Sequence, residues 1–386
     1  MRDARPRVLI APDSFKGTLS AAEAAEAMQR GILRGLPDAG TRLMPVSDGG
    51  EGFLDVILPG LHGNIMSAGV SGPLPGQRVT ARWGLAEAGA LAVIESASAA
   101  GLTLIAPGKR DPRVTTTFGL GELISGALGR GARRFLVGIG GTGTNDGGAG
   151  MASALGARFL DASRAPLPQG GAALERLSRI VLDDLDVRLR ECSFTVATDV
   201  TNPLTGPSGA SFVFGPQKGA DRATAALLDR ALSRYGEVLR ATLGSDIASL
   251  PGSGAAGGLG AALIAFCGAK LVPGIDLVLD AIGFDAALDQ ADLVMTGEGR
   301  IDSQTRSGKA LSGILRRAGA KGIPVLAVVG AAEGRESVFT GTGGFAALAA
   351  IARGNTPVED AMRDSARLLE ERTAELLSTF VRGRTW

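Results

Sequence analysis

Hydrophobic and polar positions recur along this chain in one order: a short apolar run, a polar turn rich in glycine, then a stretch with helical spacing. Val8-Leu9-Ile10-Ala11 is the first run. It is continuous rather than alternating, as in a strand buried on both faces of a parallel sheet. Pro12 to Thr18 makes the turn. Ser20-Ala21-Ala22-Glu23 is a capping box, in which hydroxyl and carboxylate satisfy free amides at a helix start. That helix is expected to run to about Leu36, ahead of Pro37. Arg42 to Val46 predicts a second strand, followed by the loop Ser47-Asp48-Gly49-Gly50-Glu51-Gly52 and a helix through about Leu58.

The rhythm changes in the middle of the chain. Val79 to Trp83 and Leu91 to Glu95 predict paired strands, and Gly119 to Leu128 a helix. Phe135 to Ile139 predicts a buried strand running into a long glycine loop. Further strands are expected at Phe194 to Thr198 and Ser211 to Phe214, and helices over 221–241 and 257–268. From Asp292 the first rhythm returns: strand Leu293 to Thr296, helix 309–319, strands Val325 to Val329 and Phe345 to Ile351, and a terminal helix over 357–381 that opens on Thr356-Pro357-Val358-Glu359. These elements predict an α/β protein. A discontinuous, Rossmann-like doubly wound parallel-sheet domain (1–62 and 285–386) would carry an inserted α/β domain (63–284). A ligand cleft is expected where the glycine-rich loops of the two domains face each other.

Composition narrows the function. The 386 residues suffice for about two or three ordinary domains. Hydrophobic residues at 45% and charged residues at 20% support a buried core rather than disorder. Forty basic against 39 acidic side chains leave a net charge of +1, and aromatics are only 4%. Neither a basic field nor stacking platforms favour nucleic acid. The 58 glycines far exceed the usual share of about 7% and have no collagen period, which points to tight turns or close backbone approach to a ligand. Any nucleophile–histidine triad would have to use His62, the only histidine. Cys192 and Cys267 with His62 fall short of the roughly four ligands of structural zinc, and no disulfide framework can be built from them. No signal-peptide pattern or membrane span is visible, so a soluble cytoplasmic protein is expected.

The loops carry the chemistry. Gly138-Ile139-Gly140-Gly141-Thr142-Gly143 matches G-x-G-x-x-G after a strand, with Asp161 about 20 residues on, as in dinucleotide binding. That reading makes an NAD-linked hydroxy-acid oxidoreductase the alternative. Against it, Thr144-Asn145-Asp146-Gly147-Gly148 delays the helix that should open within the glycines. A phosphate cradle fits better, with loop amides as donors and Thr142, Thr144 and Asn145 adding polar groups. No P-loop motif is present. Acidic residues recur at strand ends: Asp13, Asp48, Glu51, Asp146, Asp199, Glu298 and Asp302. Each could simply make a turn. Together they suit a hard divalent cation and a hydroxyl to be deprotonated. Lys16, Lys218, Arg300 and Lys309 lie among them, as phosphoryl transfer requires.

Taken in order, these segments resemble the bacterial two-domain glycerate kinase family, which is unrelated to P-loop kinases. The resemblance rests on Ala11-Pro12-Asp13-Ser14-Phe15-Lys16-Gly17, Val46 to Gly52, Gly140 to Gly148, Ala197-Thr198-Asp199-Val200-Thr201-Asn202-Pro203-Leu204, Phe214 to Gly219 and Thr296 to Asp302. It implies ATP-dependent phosphorylation of D-glycerate with Mg2+, and favours 2-phosphoglycerate over 3-phosphoglycerate as product. On that footing Asp199 is the first choice for the base, with Asp48 and Glu298 as alternatives. Asp48, Asp199 and Glu298 are the metal candidates. Lys16 would offset charge on the transferred group. Ser14 and Arg300, with Glu298, would bind substrate, and Gly140, Gly141, Thr142, Gly143, Thr144 and Asn145 would hold nucleotide phosphates. The partner is a small molecule, not nucleic acid or membrane; a homodimer is the assembly considered, although the sequence leaves oligomeric state open.

Overall fold

The computed structural model describes residues 5–50, 52–301, 310–332, 339–341, 343–352 and 358–382. Two compact units emerge. The first comprises Met1–Asp48, Asp55–Gly60 and Gly274–Trp386; the second comprises Gly49–Leu54 and Leu61–Pro273.

In the first unit five strands form one parallel sheet, in the order Ala347–Ala350, Val325–Val329, Leu293–Thr296, Arg7–Ile10, Gly40–Leu43. The apolar runs are buried as expected: Val8, Leu9 and Ile10 are at most 2% exposed, and Val325 to Val329 are all buried. Helix Ala21–Gly35 starts on the capping box, with Ser20 Oγ accepting from Glu23 N at 3.2 Å and the Glu23 carboxylate from Ser20 N at 2.8 Å. It packs against helix Ser365–Val381 so closely that a Cβ on Gly31 would stand 2.4 Å from the Glu370 carbonyl oxygen. Only glycine permits that approach.

The first strand sits between two neighbours that follow it at very different points along the chain. One is Gly40–Leu43, immediately downstream; the other is Leu293–Thr296, which the chain reaches only after the second unit. The loops leaving the carboxyl ends at such a switch point diverge and leave a crevice, the usual ligand position in open α/β sheets.

The second unit has a six-stranded mixed sheet, in the order Lys270–Val272, Ser193–Ala197, Arg134–Gly138, Leu91–Glu95, Arg78–Ala86, Asn64–Ser71. The first four run parallel and the last two pair antiparallel. Phe135 and Phe194, on neighbouring strands, stack with ring centroids 4.3 Å apart. Helices Arg222–Leu243 and Ala255–Cys267 cover this core.

Some elements differ from expectation. Ser211 to Phe214 belongs to a helix, Ala210–Phe214, not a strand; Val213 N donates to Gly209 O and Gly215 N to Ser211 O. A four-residue apolar run carries no periodicity that separates the two states. The terminal helix breaks at Asp364, between Val358–Arg363 and Ser365–Val381. Asp364 leaves helical geometry and pairs with Arg367 at 3.2 Å, consistent with the poor fit of aspartate to helix interiors. The Thr356-Pro357 start lies outside the described residues. The second strand ends at Leu43 rather than Val46, and Ala347–Ala350 is shorter than expected. Among the described residues no helix is long and apolar enough to cross a membrane.

Candidate active site

The crevice of the first unit holds a cavity of about 290 Å3 lined by Asp13, Ser14, Lys16, Asp48, Glu298, Gly299 and Arg300. Main-chain bonds fix its walls. Asp13 N donates to Gly297 O at 2.8 Å, joining the loops that leave the two central strands. Met44 N donates to Ile10 O and Val46 N to Pro12 O, which carries Asp48 alongside Asp13. Gly17 turns the first loop at φ +82°. A Cβ on Gly330 would lie 2.2 Å from Gly299 O, so the third wall is also backbone against backbone.

Three carboxylates and two cations therefore share a small polar volume. Asp13 is 6% exposed and its carboxylate accepts from Ser14 N at 2.6 Å. Burial, then the neighbouring Asp48 charge, push its pKa up to about 7, against the Ser14 bonds and the Lys16 charge. Glu298 is 8% exposed, whereas Lys16 and Arg300 are exposed. Lys16 Nζ stands 3.9 Å from Asp48, an open ion pair that contributes little to stability. The volume lies near the lower limit of ordinary ligand cavities, roughly 300–1,000 Å3, and suits a small acid better than a nucleotide. Among the described residues no three His, Cys, Asp or Glu side chains are grouped closely enough to cage a metal. The donor set still suits Mg2+, which takes one or two carboxylates and completes its shell with phosphate oxygens and water. A cation there would also offset the Asp48 charge, the lesser of the two causes that raise Asp13.

In the second unit the glycine loop follows strand Arg134–Gly138. Gly138 and Gly140 press on the Gly49–Gly50 backbone; a Cβ on Gly140 would meet Gly50 Cα at 2.8 Å. Gly141 is exposed at φ +70°. Gly143 N donates to Ala100 O and Gly147 N to Gly257 O, whereas the amides of Gly140, Gly141 and Thr142 take no part in these bonds. Thr142, Thr144 and Asn145 are buried. Asp146, offered by the sequence as a candidate acid, is a buried anchor: its carboxylate accepts from Thr117 N and Oγ1 (both 2.8 Å), Gly148 N (3.1 Å) and Gly150 N (3.2 Å). Burial raises its pKa and those bonds oppose the rise. Thr117 is 29 positions away and no pattern in the sequence marks it.

Asp199 is exposed in the loop after Ser193–Ala197, the parallel neighbour of Arg134–Gly138. It therefore leaves the same end of the sheet as the glycine loop. The turn beyond it is held by Asn202 Nδ2 donating to Ser208 O and by Gly254 N donating to Asn202 O. The candidates thus fall into two groups. Ser14, Lys16, Asp48, Glu298 and Arg300 meet in the first-unit cavity, joined by Asp13; Asp199 and Gly140 to Asn145 belong to the second unit. Glu51, Asp302 and Lys309 lie outside the described residues.

The dinucleotide alternative finds no support in this geometry. Helix Ala149–Ala154 opens only after the left-handed Gly148. Asp161 accepts from Ser163 and Ala165 of its own turn, after a strand that lies outside the parallel sheet.

Fold and cavity define an α/β enzyme with acidic and basic side chains gathered at the carboxyl ends of a parallel sheet. Comparison with known proteins gives the particular family. Residues 8–381 match the glycerate kinase family. The chain is 45% identical to a glycerate kinase of Bacillus subtilis, over 98% of this chain and 99% of that protein. It is 48% identical to a glycerate 2-kinase of Escherichia coli, over 84% and 85% of the two. A solved Salmonella typhimurium protein, provisionally described as glycerate kinase 2, superposes with a TM-score of 0.86 at 44% identity, covering 98% of this chain and 99% of that one. The chain belongs to the glycerate kinase family and is an enzyme of the kinase class.

Proposed function

We propose that this enzyme transfers the γ-phosphoryl group of ATP to a hydroxyl of D-glycerate, yielding 2-phosphoglycerate and ADP. The observation that carries this reading is the first-unit cavity, small and lined by both carboxylates and cations, in a chain of this family. The relative named a glycerate 2-kinase favours the 2-position.

Residue roles follow from charge and position. Arg300 and the Ser14 hydroxyl hold the glycerate carboxylate, and Glu298 accepts from a substrate hydroxyl. The attacking hydroxyl oxygen forms a bond to the γ-phosphorus as the bridging oxygen departs with ADP, and its proton passes to Asp199. Lys16 offsets negative charge on the transferred group. Asp48 and Glu298, which line the first-unit cavity, are the side chains that would hold Mg2+, which would supply charge neutralisation on phosphate oxygens when bound. Within the Gly140 to Asn145 loop, the amides of Gly140, Gly141 and Thr142 are offered to the nucleotide phosphates, while Gly143 N is held by Ala100 O. The same reading places the enzyme in the cytoplasm, where ATP is available.

The test is ADP release from ATP and Mg2+ with and without D-glycerate, followed by phosphorus NMR of the product. Release that depends on D-glycerate, with a 2-phosphoglycerate spectrum, is expected. No D-glycerate-dependent release rejects the kinase assignment; a 3-phosphoglycerate spectrum rejects the position only.

A further inference from the structure

One buried charge lies outside the roles above. Lys218, at the end of the short turn Pro216–Lys218, is 2% exposed. Lysine is almost never so buried without a partner charge. Its Nζ donates to the Thr144 carbonyl at 2.6 Å, and among the described residues no carboxylate lies within salt-bridge distance of it. Asp146 is close enough to act on it electrostatically, but that carboxylate is already occupied by four donors of its own.

The neighbouring loop atoms share this imbalance. Thr144 Oγ1 and Asn145 Oδ1 are buried without a hydrogen-bond partner, although both residues are 0% exposed. Asn145 Nδ2 donates to Ser211 Oγ at 3.0 Å. Buried polar atoms are rarely left so, and each calls for a partner such as an ordered water or a bound group. An ammonium on the Thr144 carbonyl also polarises the Thr144–Asn145 peptide, strengthening its amide as a donor to an anion.

We propose that Lys218 is a positioning residue for the nucleotide. From beneath the glycine loop, its charge holds Thr144 and Asn145 in place and strengthens the loop's hold on the polyphosphate of ATP. This rests on the loop being the nucleotide site. The charged group that acts on Lys218 is Asp146 from the loop; Asp146 also acts on the Tyr235 hydroxyl of helix Arg222–Leu243, and Arg110 donates to the carbonyl of Gln217, the residue before Lys218, at 3.4 Å. Burial lowers the Lys218 pKa to about 8, with Asp146 opposing. The ammonium is thus present below about pH 8 and is lost above it.

The experiment compares Lys218→Met and Lys218→Gln with the wild type in the full-length enzyme. It follows KM for MgATP, KM for D-glycerate, kcat, melting temperature and the pH profile of kcat/KM for MgATP. KM for MgATP should rise about 10-fold or more while KM for D-glycerate changes less than about twofold. In the wild type, kcat/KM for MgATP should fall as pH rises through about 8, and the variants should lack that limb. Unchanged KM for MgATP in a folded variant, or a fall in melting temperature with both KM values unaltered, overturns the proposal in favour of a purely structural lysine. If neither variant folds, the wild-type profile decides, and a flat profile from pH 7 to 9 or so overturns it. Gly141→Asp and Gly141→Asn separate the two claims. If the charged variant does not weaken MgATP relative to the neutral one, the loop assignment itself fails; if it does and Lys218→Met has no effect, only the role of Lys218 fails.

Discussion

The two units handle charge in opposite ways. In the first, charged groups line a cavity: Lys16 and Arg300 are exposed, and Asp13, Asp48 and Glu298 face the same small volume. In the second, the surface of the loop is neutral backbone at Gly140 and Gly141, and the charges lie underneath, on Asp146 and Lys218. A cavity for a small acid needs groups that can bind, release and exchange protons. A loop that takes a polyphosphate, as proposed for this one, needs amides held in fixed directions, and buried charged residues can anchor them.

Substitutions that exchange these two strategies should have graded effects. The largest is expected at Asp146. Asp146→Ala removes the acceptor for Thr117, Gly148 and Gly150 at once, leaving buried donors unpaired. Unfolding free energy from denaturant titration should fall by roughly 3–4 kcal/mol. Next is Asp199→Asn, which keeps the shape and removes the proposed proton acceptor; turnover should drop by about 10²-fold or more, with the melting curve unchanged. Near-normal turnover would move the base to another carboxylate. Gly31→Ala, remote from both sites, should cost about 1–3 kcal/mol, because the new methyl meets the Glu370 carbonyl backbone at 2.4 Å. The smallest effect on folding belongs to Lys16→Met. The 3.9 Å pair with Asp48 is open to solvent, so stability should stay within about 0.5 kcal/mol while turnover falls. A large loss of stability there would mean that Lys16 supports the fold rather than the reaction.

Much of the first unit could be read from the sequence, because its signals are local. Val8 to Ile10 and Leu293 to Met295 are unbroken apolar runs followed at once by acidic, glycine-bearing turns. A parallel sheet buries such runs and gathers the turns at one edge. Ser20 and Glu23 announce a helix start by their spacing alone. The second unit was harder to read, because its decisive relations are long-range. Two of the four bonds to Asp146 come from Thr117, 29 positions away, and Lys218 is buried where its turn folds beneath Thr144. Neither fact has a local signature. The aromatic and β-branched residues of Ser211 to Phe214 suit a strand, yet among the described residues the segment joins no sheet and forms a helix. Gly31 carried no hint of the helix it packs against, some 340 positions away at Glu370.

The division of labour between the two units is tested most directly by measuring both KM values in two variants, Arg300→Met in the first unit and Gly141→Asp in the second. Arg300→Met should raise KM for D-glycerate by about 10-fold or more and leave KM for MgATP nearly unchanged, and Gly141→Asp should do the reverse. If Arg300→Met weakens MgATP instead, or both variants move both constants equally, the assignment of acid and nucleotide to separate units is wrong.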